Sequence, residues 1–230
     1  MSIVESGAPA PQVIDAEEAA RARSERINRI AKWTLPSAVM IASILAWHFY
    51  VTLNNVPHYV LPGPLLVAKS IVDDWPLLWP AMLTTSRLTI LALIFAVIGG
   101  VVLAVAFTQA KWAEMSLFPY AVILQVTPVV AIAPLLQIYI DSAFVAALLC
   151  AWIVAFFPIL SNTTIGLKSA DHNLEDLFTI YGATRWQRLR YLSAPSALPF
   201  FLGGLKIAGG LALIGAVVAE FVIGRAGTGL

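Results

Sequence analysis

The chain has 230 residues, of which 60% are hydrophobic and only 12% charged, with a formal net charge of +1 and a mean hydropathy of +0.84. Soluble domains carry about 25% charged residues, so the composition excludes an ordinary soluble protein and points to the membrane. The single cysteine, Cys150, lies in an apolar run; it can form no internal disulfide, and the redox compartment is not legible.

A bilayer core of about 30 Å needs roughly 20 apolar residues per helix. Residues 1–32 are polar and end in RARSERINRIAK, whose five basic residues abut the first apolar run. They read as a cytoplasmic N-terminal tail by the positive-inside rule. Residues 33–53 form the first expected span, an anchor rather than a cleaved leader, because no small-residue cleavage pattern follows. The loop 54–87 then falls outside, with DDWPLLWPAML along the outer interface, where tryptophan favours the headgroup level. Further spans are expected at 88–108, 116–140, 143–166 and 197–223. This arrangement puts ten of the fourteen basic residues inside, consistent with five spans.

Within the third span, QVTPVVAIAP carries Pro128 and Pro134, and the fourth contains FFPILSNTT; both read as broken-helix signals, since neighbours must satisfy the carbonyls a proline frees. Gln125, Thr127, Asn162 and Thr163 either do that job or line a solute path. Ala143, Ala147, Ala151 and Ala155 in the fourth span, and Gly204, Ala208, Ala212 and Ala216 in the last, recur every fourth residue and predict close helix packing; Gly99-Gly100 reads similarly. Glu220 continues the latter stripe, as an interfacial acid, an ion-pair partner or an outer gate. Lys206 either snorkels to the inner surface, pairs internally, or faces a pore and attracts an anion. His48, His58 and His172 show no metal-ligand spacing, and no metal is expected.

One long polar interruption remains, DHNLEDLFTIYGATRWQRLRYLSAP at 171–195. Leu174, Leu177, Phe178 and Tyr181 recur at i, i+3, i+4 and i+7, one face of a helix over 174–181. Asn173 is expected to cap its start and Gly182 to end it in a left-handed conformation. ATRWQRLRYL predicts a second, basic helix that Pro195 stops before the last span. About two helical turns are marginal alone, so the apolar face has to dock. It packs either on the chain's own helix ends or on another protein.

Asp176-Leu177-Phe178, three residues, Gly182, nine residues, Leu192, one residue and Ala194-Pro195 reproduce the spacing of a cytoplasmic motif in the membrane-spanning subunits of ATP-binding-cassette importers. That motif reads Glu-Ala-Ala, Gly, Ile and Leu-Pro. Together with YGATRWQRLRYLSAPSALPFFLGGLKIAGGLALIGAVVAEFV, the chain from about residue 60 onward resembles the nitrate/sulfonate/taurine branch of that family. Asp176 replaces the family's Glu, Leu177 and Phe178 its alanines, Leu192 its Ile, and Ala194 the Leu before its proline.

The resemblance implies an all-α polytopic transmembrane bundle of the type I importer permease kind: a permease domain over 33–230 with a cytoplasmic coupling loop at 167–195. Five spans are visible, and the family's sixth is expected to be missing after GRAGTGL. It also implies a coupling role for Asp176, Leu177, Phe178, Gly182, Ala183, Thr184 and Pro195 against a cytoplasmic ATPase dimer. Further implied partners are an extracytoplasmic solute-binding protein and a second permease copy, in a multi-pass inner-membrane protein with no nucleic-acid partner. Cargo would be a sulfonate, nitrate or similar anion, or a vitamin precursor. No G-x-x-x-x-G-K-[ST] phosphate loop occurs, so no enzyme activity and no cofactor are expected here, with ATP and Mg on the partner. An ion-driven transporter would need carboxylates at mid-span, which the sequence does not offer. A non-transporting scaffold, or a truncated permease, is the remaining alternative.

Overall fold

The computed structural model describes residues 11–223, with side chains from Ala31 onward; the expected end of the permease at 224–230 lies outside the described residues. The chain divides into two compact units, one up to Trp75 and one from Pro76. The first holds α1 (Pro11–Leu53) and α2 (Pro64–Asp73). The boundary expected between residues 32 and 33 falls inside α1, which is 43 residues long and runs through Pro36.

The second unit contains α3 (Trp75–Gln109), α4 (Lys111–Val126), α5 (Val129–Tyr139), α6 (Ala143–Leu167), α7 (His172–Ile180), α8 (Arg185–Arg188) and α9 (Ala194–Ile223), with a π-helical turn at Leu189–Ser193 joining the last two. Among the described residues, four helical stretches are long and apolar enough to cross a membrane: Ala31–Leu53, Trp75–Gln109, Ala143–Leu167 and Arg185–Ile223. The bent pair α4–α5 makes a fifth only if its two arms are taken as one span.

The expected span 88–108 begins thirteen residues early, at Trp75, and WPLLWPAML belongs to α3 instead of lying in a separate interfacial loop. Pro76 sits in the first helical turn, where its missing N–H has no intrahelical acceptor anyway. Thr84 Oγ1 donates to the Pro80 carbonyl at 3.1 Å. The 35-residue helix is about 52 Å long at 1.5 Å per residue, well beyond the hydrocarbon thickness.

Only one of the expected proline breaks is real. The third span turns by 101° at Thr127–Pro128, where Thr127 takes the extended conformation (φ −74°, ψ 125°) that a following proline enforces. Thr127 Oγ1 caps the broken end by donating to the Ile123 carbonyl at 2.6 Å. Pro134 stays inside α5 and Pro158 inside an unbroken α6, so FFPILSNTT does not interrupt its span. Asn162 Nδ2 donates to the Pro158 carbonyl at 2.9 Å, holding the helix at that point.

The spine of the unit is α6 against α9, with α5 resting on both and α4 on α6. Ala147, Ala151, Ala155, Ala208, Ala212 and Ala216 are all fully buried along the α6–α9 seam, as their fourfold spacing predicts. Here Gly204 is required by close approach: a Cβ would fall 2.8 Å from Asn162 Cβ and 2.9 Å from the Pro158 oxygen. Helix α3 joins through its own small stripe, Ala92, Ala96, Gly100 and Ala104, all buried, and at Gly100 a Cβ would meet Ile159 Cγ2 at 2.7 Å. With no hydrophobic drive between helices in lipid, this contact density supplies the van der Waals attraction that holds them together. Phe118 of α4 adds aromatic contacts to Phe107 and Phe157, with ring centroids at 6.3 and 6.2 Å.

Candidate functional site

The polar stretch folds into a knuckle at one end of the bundle. Helix α7 begins at His172 rather than 174, because Asp171, not Asn173, supplies the cap: its Oδ1 accepts from the Asn173 N–H at 2.8 Å. An acid there also meets the positive end of the helix dipole. At the other end Gly182 has φ +65°. Its N–H donates to the Thr179 carbonyl at 3.0 Å, and that of Ala183 to the Phe178 carbonyl at 2.9 Å. These two bonds form a Schellman motif, in which the left-handed residue is glycine because a Cβ would strain it.

Thr184 follows at once as the cap of α8. Its Oγ1 accepts from the Gln187 N–H at 3.3 Å, while the Thr184 N–H donates to Gln187 Oε1 at 2.8 Å, a complete capping box. The angle between α7 and α8 is therefore set by local hydrogen bonds within the ten residues from Phe178 to Gln187. Ala183 and Thr184, placed by resemblance in the coupling surface, are the bonded parts of this corner.

Pro195 does not stop the second helix. Residues Arg185–Ile223 form one 39-residue helical run, and the turn before Pro195 widens so that the Ala194 N–H donates to the Leu189 carbonyl. The wider turn makes room for the proline ring, and Ser196 Oγ donates to the Leu192 carbonyl at 2.9 Å. The basic segment is thus mechanically continuous with the last span.

The two faces of α7 differ. Glu175 turns toward a polar cleft of about 560 Å³ shared with Lys111, Glu114, Lys168, Arg185 and Arg188. At its edge Lys168 Nζ bonds Glu114 Oε1, joining the end of α6 to the start of α4. Leu177, Phe178 and Tyr181, with Ala183, Gln187 and Tyr191, line an open apolar groove of about 400 Å³. No residue of α7 is buried: Leu177 is 45% and Tyr181 81% exposed. Packing on the chain's own residues covers part of Phe178 and about half of Leu174 and Leu177, and leaves Tyr181 open. Asp176 is exposed and lies 3.8 Å from His172 Nε2, an i,i+4 neighbour that sequence spacing alone places there.

Among the described residues no hydrogen bond joins any two of Gln125, Thr127, Asn162, Thr163, Lys206 and Glu220. Gln125 is exposed near the α4–α5 bend and Lys206 is exposed on α9. Glu220 accepts from Thr85 Oγ1 at 2.7 Å, across the bundle, so the expected partner of this acid is a hydroxyl of α3 rather than a cation. Gln137 Nε2 donates to the Ile223 carbonyl at 3.3 Å, a second tie to the end of α9. Sequence reading missed Thr85, which carries no periodic signal. It also missed the α3 alanine stripe, which the fourfold count would have found.

Fold and knuckle together define a class: a multi-pass helical membrane protein that presents a rigid, apolar-faced helix outside the bundle. The chain belongs to the family of binding-protein-dependent transport system inner membrane components, which matches residues 96–230; these are type I permeases of ATP-binding-cassette transporters. It is 37% identical to a riboflavin transport system permease protein of Chloroflexus aurantiacus, over 90% of this chain and 79% of that one. It is 30% identical to a formylaminopyrimidine transport permease protein of Halalkalibacterium halodurans, over 84% and 78%. To a putative aliphatic sulfonates transport permease protein of Bacillus subtilis it is 27% identical, over 86% and 71%.

Proposed function

We propose that this chain is the pore-forming subunit of an ATP-driven importer, working as one of two copies with a cytoplasmic ATPase dimer and an extracytoplasmic binding protein. The carrying observation is the uncovered apolar face of α7, held at a fixed angle by Gly182 and coupled without a break to the last span through Arg185–Ile223. A groove on an ATPase subunit would receive Leu177 and Phe178, with Asp176 at its basic edge. ATP and Mg would bind only there. Closure of the ATPase pair would then swing α7, α8 and α9 as one body, the rigid-body type of alternating access.

The knuckle end is assigned to the cytoplasm, together with the N-terminus, on the ten of fourteen basic residues that this orientation places inside. Lys206, exposed on the face of α9 away from the α6 seam, is our candidate for a path residue, with Gln125 and Thr127 at the α4–α5 bend. The cargo is a small organic or inorganic solute. Identities of 37% and 30% to permeases for riboflavin and formylaminopyrimidine favour a nitrogen heterocycle of the vitamin-precursor kind over a sulfonate.

The test is purification of the tagged full chain from membranes with and without Leu177→Asp. We expect a cytoplasmic ATPase to co-purify with the wild type and to be lost from the variant. Recovery of the wild-type chain without any ATPase overturns the reading.

A further inference from the structure

An apolar groove of about 510 Å³ runs along the bundle surface between α3 and the α8–α9 run, starting at the knuckle end. Val101 and Val105 form one wall, Leu198 and Phe201 the other, and Trp186 and Arg190 stand at its mouth. From Trp186 to Phe201 is about 22 Å at 1.5 Å per residue, enough for a headgroup layer and most of one leaflet, whose share of the hydrocarbon core is about 15 Å.

Two polar residues of the groove are left without a hydrogen-bonding or acidic partner among the described residues. Thr163 is 4% exposed, and its Oγ1 is buried without a hydrogen bond. Its neighbour Thr164 behaves ordinarily, donating to the Leu160 carbonyl at 2.7 Å. Arg190 has no acidic partner among the described residues; its guanidinium lies 5.6 Å from the Tyr191 ring centroid. A hydroxyl in an apolar trough wants an acceptor, and a cation at the trough's mouth wants an anion.

We infer that the groove is a binding site for an anionic phospholipid of the leaflet at the knuckle end. Arg190 takes the phosphate and Trp186 lies at the headgroup level, where indoles favour the interface. One turn below the end of α6, Thr163 donates to an ester carbonyl. The walls then hold one acyl chain. A protein helix seated there has its backbone carbonyls already bonded within it, so only acidic or polar side chains of its own could meet Arg190 and Thr163.

The test uses the purified complex, in native mass spectrometry, titrated with phosphatidylglycerol or phosphatidylcholine. The wild type is expected to retain one phosphatidylglycerol per chain in preference to phosphatidylcholine. Arg190→Gln, an exposed position that leaves the fold alone, should weaken retention about tenfold, the scale of one charge-assisted hydrogen bond. Thr163→Val should weaken it for both lipids alike, since the ester is common to them. Equal retention of the two lipids by the wild type, or retention unchanged in Arg190→Gln, overturns the proposal. So does efficient chemical cross-linking of Leu198→Cys between two copies, which would show that protein covers the groove.

Discussion

Gly182→Val separates the knuckle's geometry from the fold's stability. A Cβ at this position meets nothing within 4 Å, so the substitution clashes with no neighbour and its whole cost is conformational. At φ +65° an L-residue is disfavoured by about 1–2 kcal/mol, and a β-branched one by more. The chain can relieve that strain by giving up the Schellman bonds from the Gly182 and Ala183 N–H groups, each contributing about 0.5–1.5 kcal/mol net. Either way the penalty is about 2–3 kcal/mol and local, against a global stability of about 5–15 kcal/mol. The variant should therefore insert and fold, with a thermal midpoint lowered by about 2–4 °C per kcal/mol for a chain of this size, yet hold α7 at a wrong angle. Uptake of cargo in cells, and ATP hydrolysis stimulated by loaded binding protein in vesicles, should both fall to background. Gly182→Asn should recover most of the activity, because asparagine tolerates the left-handed region. Full transport by the valine variant, or an asparagine variant as inactive as valine, would refute the argument that a backbone conformation transmits the force.

Three further outcomes follow from the packing. Gly204→Val forces atoms against Asn162 and the Pro158 carbonyl, where overpacking costs about 1–3 kcal/mol; a lower thermal midpoint in detergent is expected, and an unchanged one would deny the tight α6–α9 seam. Thr85→Val removes the donor to Glu220 Oε2 and leaves a part-buried carboxylate short of a partner, a loss of about 1–3 kcal/mol; Glu220→Gln, which keeps a group able to bond Thr85, should lose less in the same melt. Lys168→Gln breaks a pair whose side chains are 47% and 30% exposed, so stability should change by less than about 1 kcal/mol, and a larger shift would mean that the joint between α4 and α6 bears more load than a surface ion pair.

The knuckle was legible because it is built from neighbours. The apolar face at 174, 177, 178 and 181, the stop at Gly182 and the basic helix beyond it all depend on bonds spanning a few residues. Even there the cap moved from Asn173 to Asp171, two side chains of similar capping strength whose choice turns on the exact first turn. The α6 and α9 stripes were equally legible, since small residues every fourth position mean the same thing in any bundle. What failed were the prolines: Pro128 breaks its helix, while Pro134, Pro158 and Pro195 do not. A proline's effect depends on whether the surrounding helix accommodates it, as the widened turn before Pro195 does, and no window of sequence states that.

By itself, then, the sequence determined that this chain lives in lipid, that its helices meet through small residues and that a glycine corner projects from one end. These follow from composition and from interactions between residues close in the chain. Only the tertiary structure decided that α3 reaches back to Trp75, that α4–α5 bends by 101°, and that Glu220 bonds a threonine 135 positions away. It alone left the face of α7 open and Thr163 without a partner. Those are outcomes of helices competing for the same space, where the result depends on which distant surfaces pack together at the lowest free energy.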